Sequence, residues 1–230
     1  MVGFSFDATI KKGNEMNNGK NIDYREHWNK VYSSNEINNL GWYEEIPKPS
    51  LDLITKCGLA KNATILDVGS GATTLIDNLI QQGYKNIIAS DISEIALEKL
   101  KARLSKENSE FVQCVVDDIT DPQKMDFTLR VDLWHDRTVL HFLIDEKQQV
   151  GYLSTLKRVV KKKGYVIIAV FSLEGAKKCS GLNVENYDQK MISEFLGNDF
   201  ELLEYFNHLY INPSGGERPY VYTLFKRINN

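Results

Sequence analysis

The middle of the chain alternates between short apolar runs and longer amphipathic stretches. Five runs are rich in apolar and β-branched residues and predict buried strands: residues 63–69, 86–91, 111–118, 131–136 and 165–172. The stretches between several of them repeat apolar residues every three or four positions, as on one face of a helix. Strands that alternate with helices predict βαβ units, and therefore a parallel sheet that helices cover on both faces.

The longest amphipathic stretch, DEKQQVGYLSTLKRVVKKKG at residues 145–164, predicts the helix before the fifth strand. We expect its inward face to hold Val150, Leu153, Leu156 and Val160. The lysines at 161–163 suit the negative end of a helix dipole, so they are interpreted as a solvated helix end, with Gly164 as the stop.

Two apolar runs near the carboxyl terminus, at residues 199–211 and 218–228, flank the turn-rich segment NPSGGE and predict a β-hairpin. Such a hairpin adds antiparallel strands to the edge of a parallel sheet. The predicted fold class is therefore α/β: a doubly wound, mostly parallel seven-stranded sheet with a C-terminal antiparallel hairpin.

The amino-terminal part differs in composition from this alternating region. Residues 1–22 lack the apolar core of a signal peptide, and we expect a flexible tail there. Residues 23–62 are aromatic and charged and are interpreted as a helical cap. The ligand-binding domain would then span residues 63–230.

Composition excludes some functions and favours a location. A net charge of −3 does not favour nucleic acid as a partner, and no run approaches the length of a transmembrane helix. The three cysteines are scattered, which argues against a disulfide framework or a zinc cluster. The four histidines show no metal-binding spacing, so no metal is expected. We expect the protein in the cytoplasm.

Ligands of doubly wound sheets bind at the carboxyl ends of the strands, so the residues there are the first candidates for a site. They are Asp67, Gly69, Ser70, Gly71, Asp91, Asp117, Asp118, His135, Asp136 and Arg137. The two glycines allow a tight turn and close approach of a ligand. Asp91 lies 20 residues past Gly71, where an acid can accept both hydrogen bonds of a ribose diol. This order predicts a cofactor that contains a nucleoside.

Two cofactors compete for such a loop. A dinucleotide fingerprint has a third glycine, but Thr74 stands at that position, and Asp67 would lie unfavourably beside a pyrophosphate. S-adenosylmethionine carries a sulfonium and an ammonium group and no phosphate. The acidic residues around the loop therefore favour S-adenosylmethionine.

Four segments, ILDVGSGATTL, IIASDIS, VVDDI and VDLWHDR, resemble in order and spacing the loops of class I S-adenosylmethionine-dependent methyltransferases. The resemblance implies the Rossmann-like methyltransferase fold and that cofactor. It also implies where the cofactor binds: Asp67, Gly69, Ser70 and Gly71 at its methionine end, Asp91 at the ribose, and Ile92, Asp118 and Ile119 at the adenine, with Asp117 as the alternative to Asp118.

A narrower resemblance rests on the segments EHWNKVY, WYEEIPKPSL, WHDR and CSGL. They are similar to those of a bacterial methyltransferase group that is distantly like the thiopurine S-methyltransferase branch. This resemblance implies the reaction but does not name the acceptor.

The expected reaction is in-line transfer of a methyl group to an N, O or S nucleophile of a small molecule or a protein side chain. We expect Asp136 and Arg137 to orient the acceptor or brace the site, with Asp136 or His135 as the candidate base. Trp42 and Tyr43 either cover the sheet or wall the pocket, where an aromatic face would attract the sulfonium. An NAD-dependent oxidoreductase and a non-catalytic methyltransferase-like module are the alternatives.

Overall fold

A computed structural model describes residues 22–125 and 130–228 of the chain. The tail predicted for residues 1–22 lies outside this range, apart from Ile22. Within the range, every helix is too short or too polar to cross a membrane.

The centre of the molecule is a seven-stranded sheet with the strand order β3-β2-β1-β4-β5-β9-β8. Its strands are β1 (Thr64–Val68), β2 (Asn86–Asp91), β3 (Val112–Val116), β4 (Val131–Arg137), β5 (Val160–Phe171), β8 (Phe200–Ile211) and β9 (Glu217–Arg227). The first five pair in parallel, whereas β9 pairs antiparallel with both β5 and β8. Two short strands that the sequence did not predict, β6 (Lys178–Cys179) and β7 (Leu182–Asn183), form a separate hairpin. The predicted fold class is confirmed.

Helices cover both faces of this sheet. They are α1 (Tyr24–Ser34), α2 (Lys48–Lys56), α3 (Leu75–Gln81), α4 (Glu94–Arg103), α5 (Lys106–Ser109), α6 (Glu146–Val159) and α7 (Gln189–Leu196). Several begin where a short polar side chain accepts a backbone N–H of the first turn, as Ser93 does for α4 and Asp188 for the unpredicted α7. A 3-10 turn, Leu140–Phe142, follows β4.

Helix α6 corrects two expectations. Val150 is 62% exposed, because the helix turns Tyr152, Leu156 and Val159 toward the sheet instead. Tyr152 takes the inward position since its hydroxyl accepts from Trp134 Nε1 at 3.0 Å in the core. The helix also ends at Val159, so the lysines at 161–163 belong to the irregular start of β5 rather than to a helix end.

The hydrophobic core has two halves, one on each face of the sheet. Leu51, Leu53 and Ile54 of α2 belong to the same buried cluster as Ile65 of β1. The predicted cap and the predicted domain therefore share a core, and the boundary at residue 62 stays a prediction.

Candidate active site

The main cavity opens at the carboxyl ends of β1 and β4, the two strands at which the strand order reverses. From β1 the chain proceeds outward to β2 and β3, and from β4 to β5, so the loops that follow these strands diverge and leave a crevice. Residues after β1, β2, β3 and β4 line it, together with aromatic residues of the amino-terminal region.

The glycine loop after β1 requires glycine at two positions. Gly69 and Gly71 have φ angles of +59° and +56°, in the left-handed region. A Cβ at Gly69 would lie 2.1 Å from Cγ2 of Val139, and one at Gly71 would lie 2.2 Å from the hydroxyl of Tyr32. The loop is therefore closely packed against both the segment after β4 and the amino-terminal region.

The four predicted residues of this loop have different positions. Asp67 and Gly69 line the cavity, whereas Ser70 and Gly71 do not. The backbone N–H of Ser70 donates to the carbonyl of Ser90 at 3.0 Å, which ties the loop to β2. Asp67 is 3% exposed, and its Oδ2 has no hydrogen-bond partner within the described part of the chain.

Asp91 ends β2 at the floor of the cavity. Its carboxylate accepts from the backbone N–H groups of Gly71 and Ser93, each at 2.8 Å. Burial raises the pKa of Asp91 to about 6, because these hydrogen bonds only partly offset the loss of solvent. Ile92 follows and also lines the cavity. The roles predicted for both residues at a nucleoside stay predictions.

The two adjacent acids after β3, Asp117 and Asp118, make different contacts. Asp117 accepts from the backbone N–H groups of Asp118, Gln123, Lys124 and Met125, so it organises the following loop. Among the described residues, Asp118 accepts through Oδ1, from the backbone N–H and the hydroxyl of Thr120. Both acids line the cavity, as does Ile119.

The end of β4 sends neighbouring side chains to opposite faces of the sheet. His135 and Arg137 line the cavity, but Asp136 points the other way and is fully buried. Asp136 accepts from the N–H groups of Val139 and Leu140 at 2.7 and 3.0 Å and from the hydroxyl of Tyr152 at 2.6 Å. The structure therefore does not bring Asp136 to the acceptor, and it places this acid in the packing of α6.

Arg137 fastens the amino-terminal segment to the sheet. Its guanidinium donates to the carbonyl of Trp42 at 3.0 Å and forms an ion pair with Glu44 at 2.9 Å. It also lies over the rings of Tyr210 and Tyr220, 5.3 and 5.0 Å from their centroids. The contact with Glu44 is an ion pair by distance, since Nη2 of Arg137 makes no hydrogen bond within the described residues.

His135 lies in a contact that the sequence did not reveal. Its Nδ1 is 2.7 Å from Oδ1 of Asp67, and its Nε2 is 2.9 Å from Oγ of Ser50. Ser50 belongs to α2, 85 residues away in the chain, so no local motif indicated it. Since both ring nitrogens are engaged, His135 has none left to act on an acceptor directly.

Aromatic side chains of the amino-terminal region form one wall of the cavity. Trp28, Tyr32 and Trp42 all line it, with ring centroids of Trp28 and Trp42 5.7 Å apart and those of Tyr32 and Trp42 6.0 Å apart. These rings also pack on one another above α4, so they cover the sheet and wall the pocket at once.

The cavity has a strongly acidic lining. Its carboxylates are Glu44, Asp67, Asp91, Asp117 and Asp118, and Arg137 is its one guanidinium among the described residues. A cation is therefore the favoured occupant.

Comparison with known proteins now decides the family. Residues 59–206 match the family model described as a methyltransferase domain. This chain belongs to that family. The EEF1A lysine methyltransferase 2 of Mus musculus is 28% identical to it over 157 residues, which cover 63% of this chain and 64% of the mouse protein. The chain thus matches slightly less than two thirds of the length of this curated relative.

Solved structures share the fold. A protein studied for the conversion of a disulfide bond into a thioacetal group during echinomycin biosynthesis has a TM-score of 0.71 at 16% identity, covering 90% of this chain and 92% of its own. The 1,6-didemethyltoxoflavin-N1-methyltransferase of Burkholderia thailandensis, solved with bound 1,6-didemethyltoxoflavin and S-adenosylhomocysteine, has a TM-score of 0.65 at 19% identity, covering 82% of this chain and 80% of its own. The predicted methyltransferase family is confirmed.

Proposed function

We propose that this protein transfers a methyl group from S-adenosylmethionine to the ε-amino group of a lysine side chain in a protein. The observation that carries the proposal is the acidic, aromatic-walled cavity at the ends of β1 and β4. Its carboxylates attract the lysine as a cation, which must release its proton to solvent before attack. Burial against the tryptophans then favours the neutral nucleophilic amine. The curated relative's name, a lysine methyltransferase, supports the same acceptor.

The cofactor would lie along the strand ends as the resemblance implies. Its methionine part would meet Asp67 and the loop of residues 69–71, its ribose Asp91, and its adenine Ile92, Asp118 and Ile119. The residues fit this placement, because Oδ2 of Asp67 is buried without a partner in the described chain, and Asp118 lines the cavity. The sulfonium of the bound cofactor supplies an activated methyl group.

The protein's own contribution is mainly alignment and exclusion of water. Orientation of two reactants for in-line attack contributes roughly 7–11 kcal/mol in favourable cases. We assign Trp28 and Trp42 to the wall that keeps water from the transfer, and Arg137 to holding Trp42 in place. Arg137 thus braces the site, which is one of the two roles expected for it from the sequence. We do not assign His135 or Asp136 as a base.

Two finer expectations accompany the proposal. The WHDR group, distantly like the thiopurine S-methyltransferase branch, remains the narrower family we favour, and the fastening role of Arg137 supplies a reason for arginine in that motif. We also place the protein in the cytoplasm, which the three free cysteines support.

The acceptor can be tested with S-adenosylmethionine that carries an isotopically labelled methyl group. The protein is incubated with a fractionated cell extract, the proteins are hydrolysed, and the amino acids are separated. We expect label in methylated lysine, and we expect it to disappear with the Asp91→Ala variant. Label found only in small molecules would refute the lysine acceptor and favour a small-molecule N-methyltransferase, the activity of the Burkholderia neighbour.

A further inference from the structure

A short chain of buried hydrogen bonds joins α2, β4 and β1 at the cavity. Oγ of Ser50 lies 2.9 Å from Nε2 of His135, and Nδ1 of His135 lies 2.7 Å from Oδ1 of Asp67. The chain therefore runs from a hydroxyl of α2 to a buried carboxylate of β1.

Both ring nitrogens of His135 have a partner in this chain. Ser50 contacts Nε2 from α2, and Asp67 contacts Nδ1 from β1, so the imidazole is fixed between two elements. His135 in turn fixes the oxygen of Asp67 that it contacts.

The chain ends on a carboxylate whose two oxygens differ. Oδ1 of Asp67 is held by His135, whereas Oδ2 is buried and has no partner among the described residues. An unpaired buried carboxylate oxygen is costly, so it points to a cationic ligand that completes it. Asp67 lines the cavity, where the methionine part of the cofactor is expected.

We propose that Ser50 and His135 are positioning residues that hold Asp67 with Oδ2 turned toward the ammonium group of the cofactor. This inference rests on the proposed function, because it presupposes S-adenosylmethionine in the cavity. Hydrogen bonds in such a series strengthen one another, so each member contributes to the orientation of the last.

The test compares two probes that differ in the amino-acid end, which carries the ammonium group. S-adenosylhomocysteine carries the amino-acid end, and 5′-methylthioadenosine lacks it but keeps the nucleoside. Binding of both is measured by calorimetry for His135→Leu, His135→Asn and Ser50→Ala. We expect His135→Leu to weaken the binding of S-adenosylhomocysteine by about tenfold and to leave the affinity for methylthioadenosine unchanged. The amide N–H of His135→Asn can replace the donor to Asp67 and should restore most of the affinity.

A matched control removes a contact on the opposite face of β4, between this strand and helix α6. Tyr152→Phe removes a buried hydrogen bond to Asp136 of β4 but touches no part of the cavity, so both probes should bind as in the parent protein. If His135→Leu fails to fold in thermal denaturation, Ser50→Ala carries the test, with a loss of about threefold expected for S-adenosylhomocysteine alone.

The outcomes separate this inference from the proposed function. If the His135 and Ser50 variants weaken both probes equally, or neither probe, the positioning role is overturned while cofactor binding stands. If the unmodified protein binds neither probe, the proposed function itself fails.

Discussion

Three neighbouring residues at the end of β4, His135, Asp136 and Arg137, have three separate roles because alternate side chains of a strand point to opposite faces. His135 holds Asp67, Asp136 anchors the turn before α6, and Arg137 fastens the amino-terminal segment. The sequence identified the position of this group correctly, at the edge where ligands bind. Because side chains along a strand alternate between its two faces, the sequence of the motif alone would also have separated Asp136 from His135 and Arg137.

The glycine at position 71 offers a test at the residue scale. Gly71 and Gly58 have similar φ angles, +56° and +60°, but only a Cβ at Gly71 meets a neighbour, the Tyr32 hydroxyl at 2.2 Å. Gly58→Ala should cost about 1 kcal/mol of unfolding free energy through backbone conformation alone. Gly71→Ala should cost more and also weaken S-adenosylhomocysteine binding, measured by denaturation and calorimetry. Equal effects of the two variants would contradict the packing described for the loop.

The raised pKa of Asp91 predicts how cofactor binding depends on pH. In the proposed site, ribose hydroxyls would donate to the ionised carboxylate, and burial raises the pKa of this carboxyl from 3.8 to about 6. Affinity for S-adenosylhomocysteine should therefore be constant above pH about 7 and fall as the pH drops below 6. In the unliganded protein, the group's contribution to stability runs the other way: it is largest below pH about 4 and is lost as the pH rises to 6.

Two asparagine variants make this pH test specific. Asp91→Asn should remove the pH dependence of binding between pH 5 and 7. Asp136→Asn should keep it, although burial also raises the pKa of Asp136 to about 6, because that carboxyl lies outside the cavity. If the pH dependence of binding changed in Asp136→Asn and not in Asp91→Asn, the assignment of the ribose site would be contradicted.

At the scale of elements, the segment from Trp42 to Glu44 depends on one buried ion pair. The side chains of Arg137 and Glu44 are 9% and 11% exposed, whereas those of the ion pair of Lys48 and Asp52 are 75% and 53% exposed. Arg137→Met leaves Glu44 buried without its partner and should cost about 3–5 kcal/mol of unfolding free energy. Lys48→Met should cost less than about 1 kcal/mol.

The same pair of variants tests the aromatic wall. Quenching of tryptophan fluorescence by acrylamide should rise in Arg137→Met, because Trp42 loses the donor that holds its carbonyl. Lys48→Met should leave quenching unchanged. If the two variants lose the same unfolding free energy and show the same acrylamide quenching, Arg137 does not fasten the segment.

Element boundaries show what periodicity captures and what it misses. The predicted strands agree with the structure because buried parallel strands are continuous apolar runs. Val150 was misplaced because spacing alone does not fix the rotation of α6, which the contact between Tyr152 and Trp134 determines. The start of β5 was missed because its lysines are polar and lie where the pairing with β4 is irregular.

At the scale of the whole molecule, topology brings the candidate site together. The strand order places the ends of β1, β2, β3 and β4 side by side, so residues from 67 to 137 in the chain meet at one edge. That much follows from the sequence, since the carboxyl ends of parallel strands share an edge. The contacts of Ser50 and Tyr222 with this edge do not, because they depend on how α2 and β9 pack from distant parts of the chain.

The central claim is that this edge binds S-adenosylmethionine. Thermal unfolding of the protein with S-adenosylmethionine, S-adenosylhomocysteine or NAD tests it directly, since a ligand that binds the folded state raises the unfolding temperature. The account predicts that both adenosyl compounds stabilise the protein at concentrations at which NAD has no effect. Stabilisation by NAD alone would contradict it.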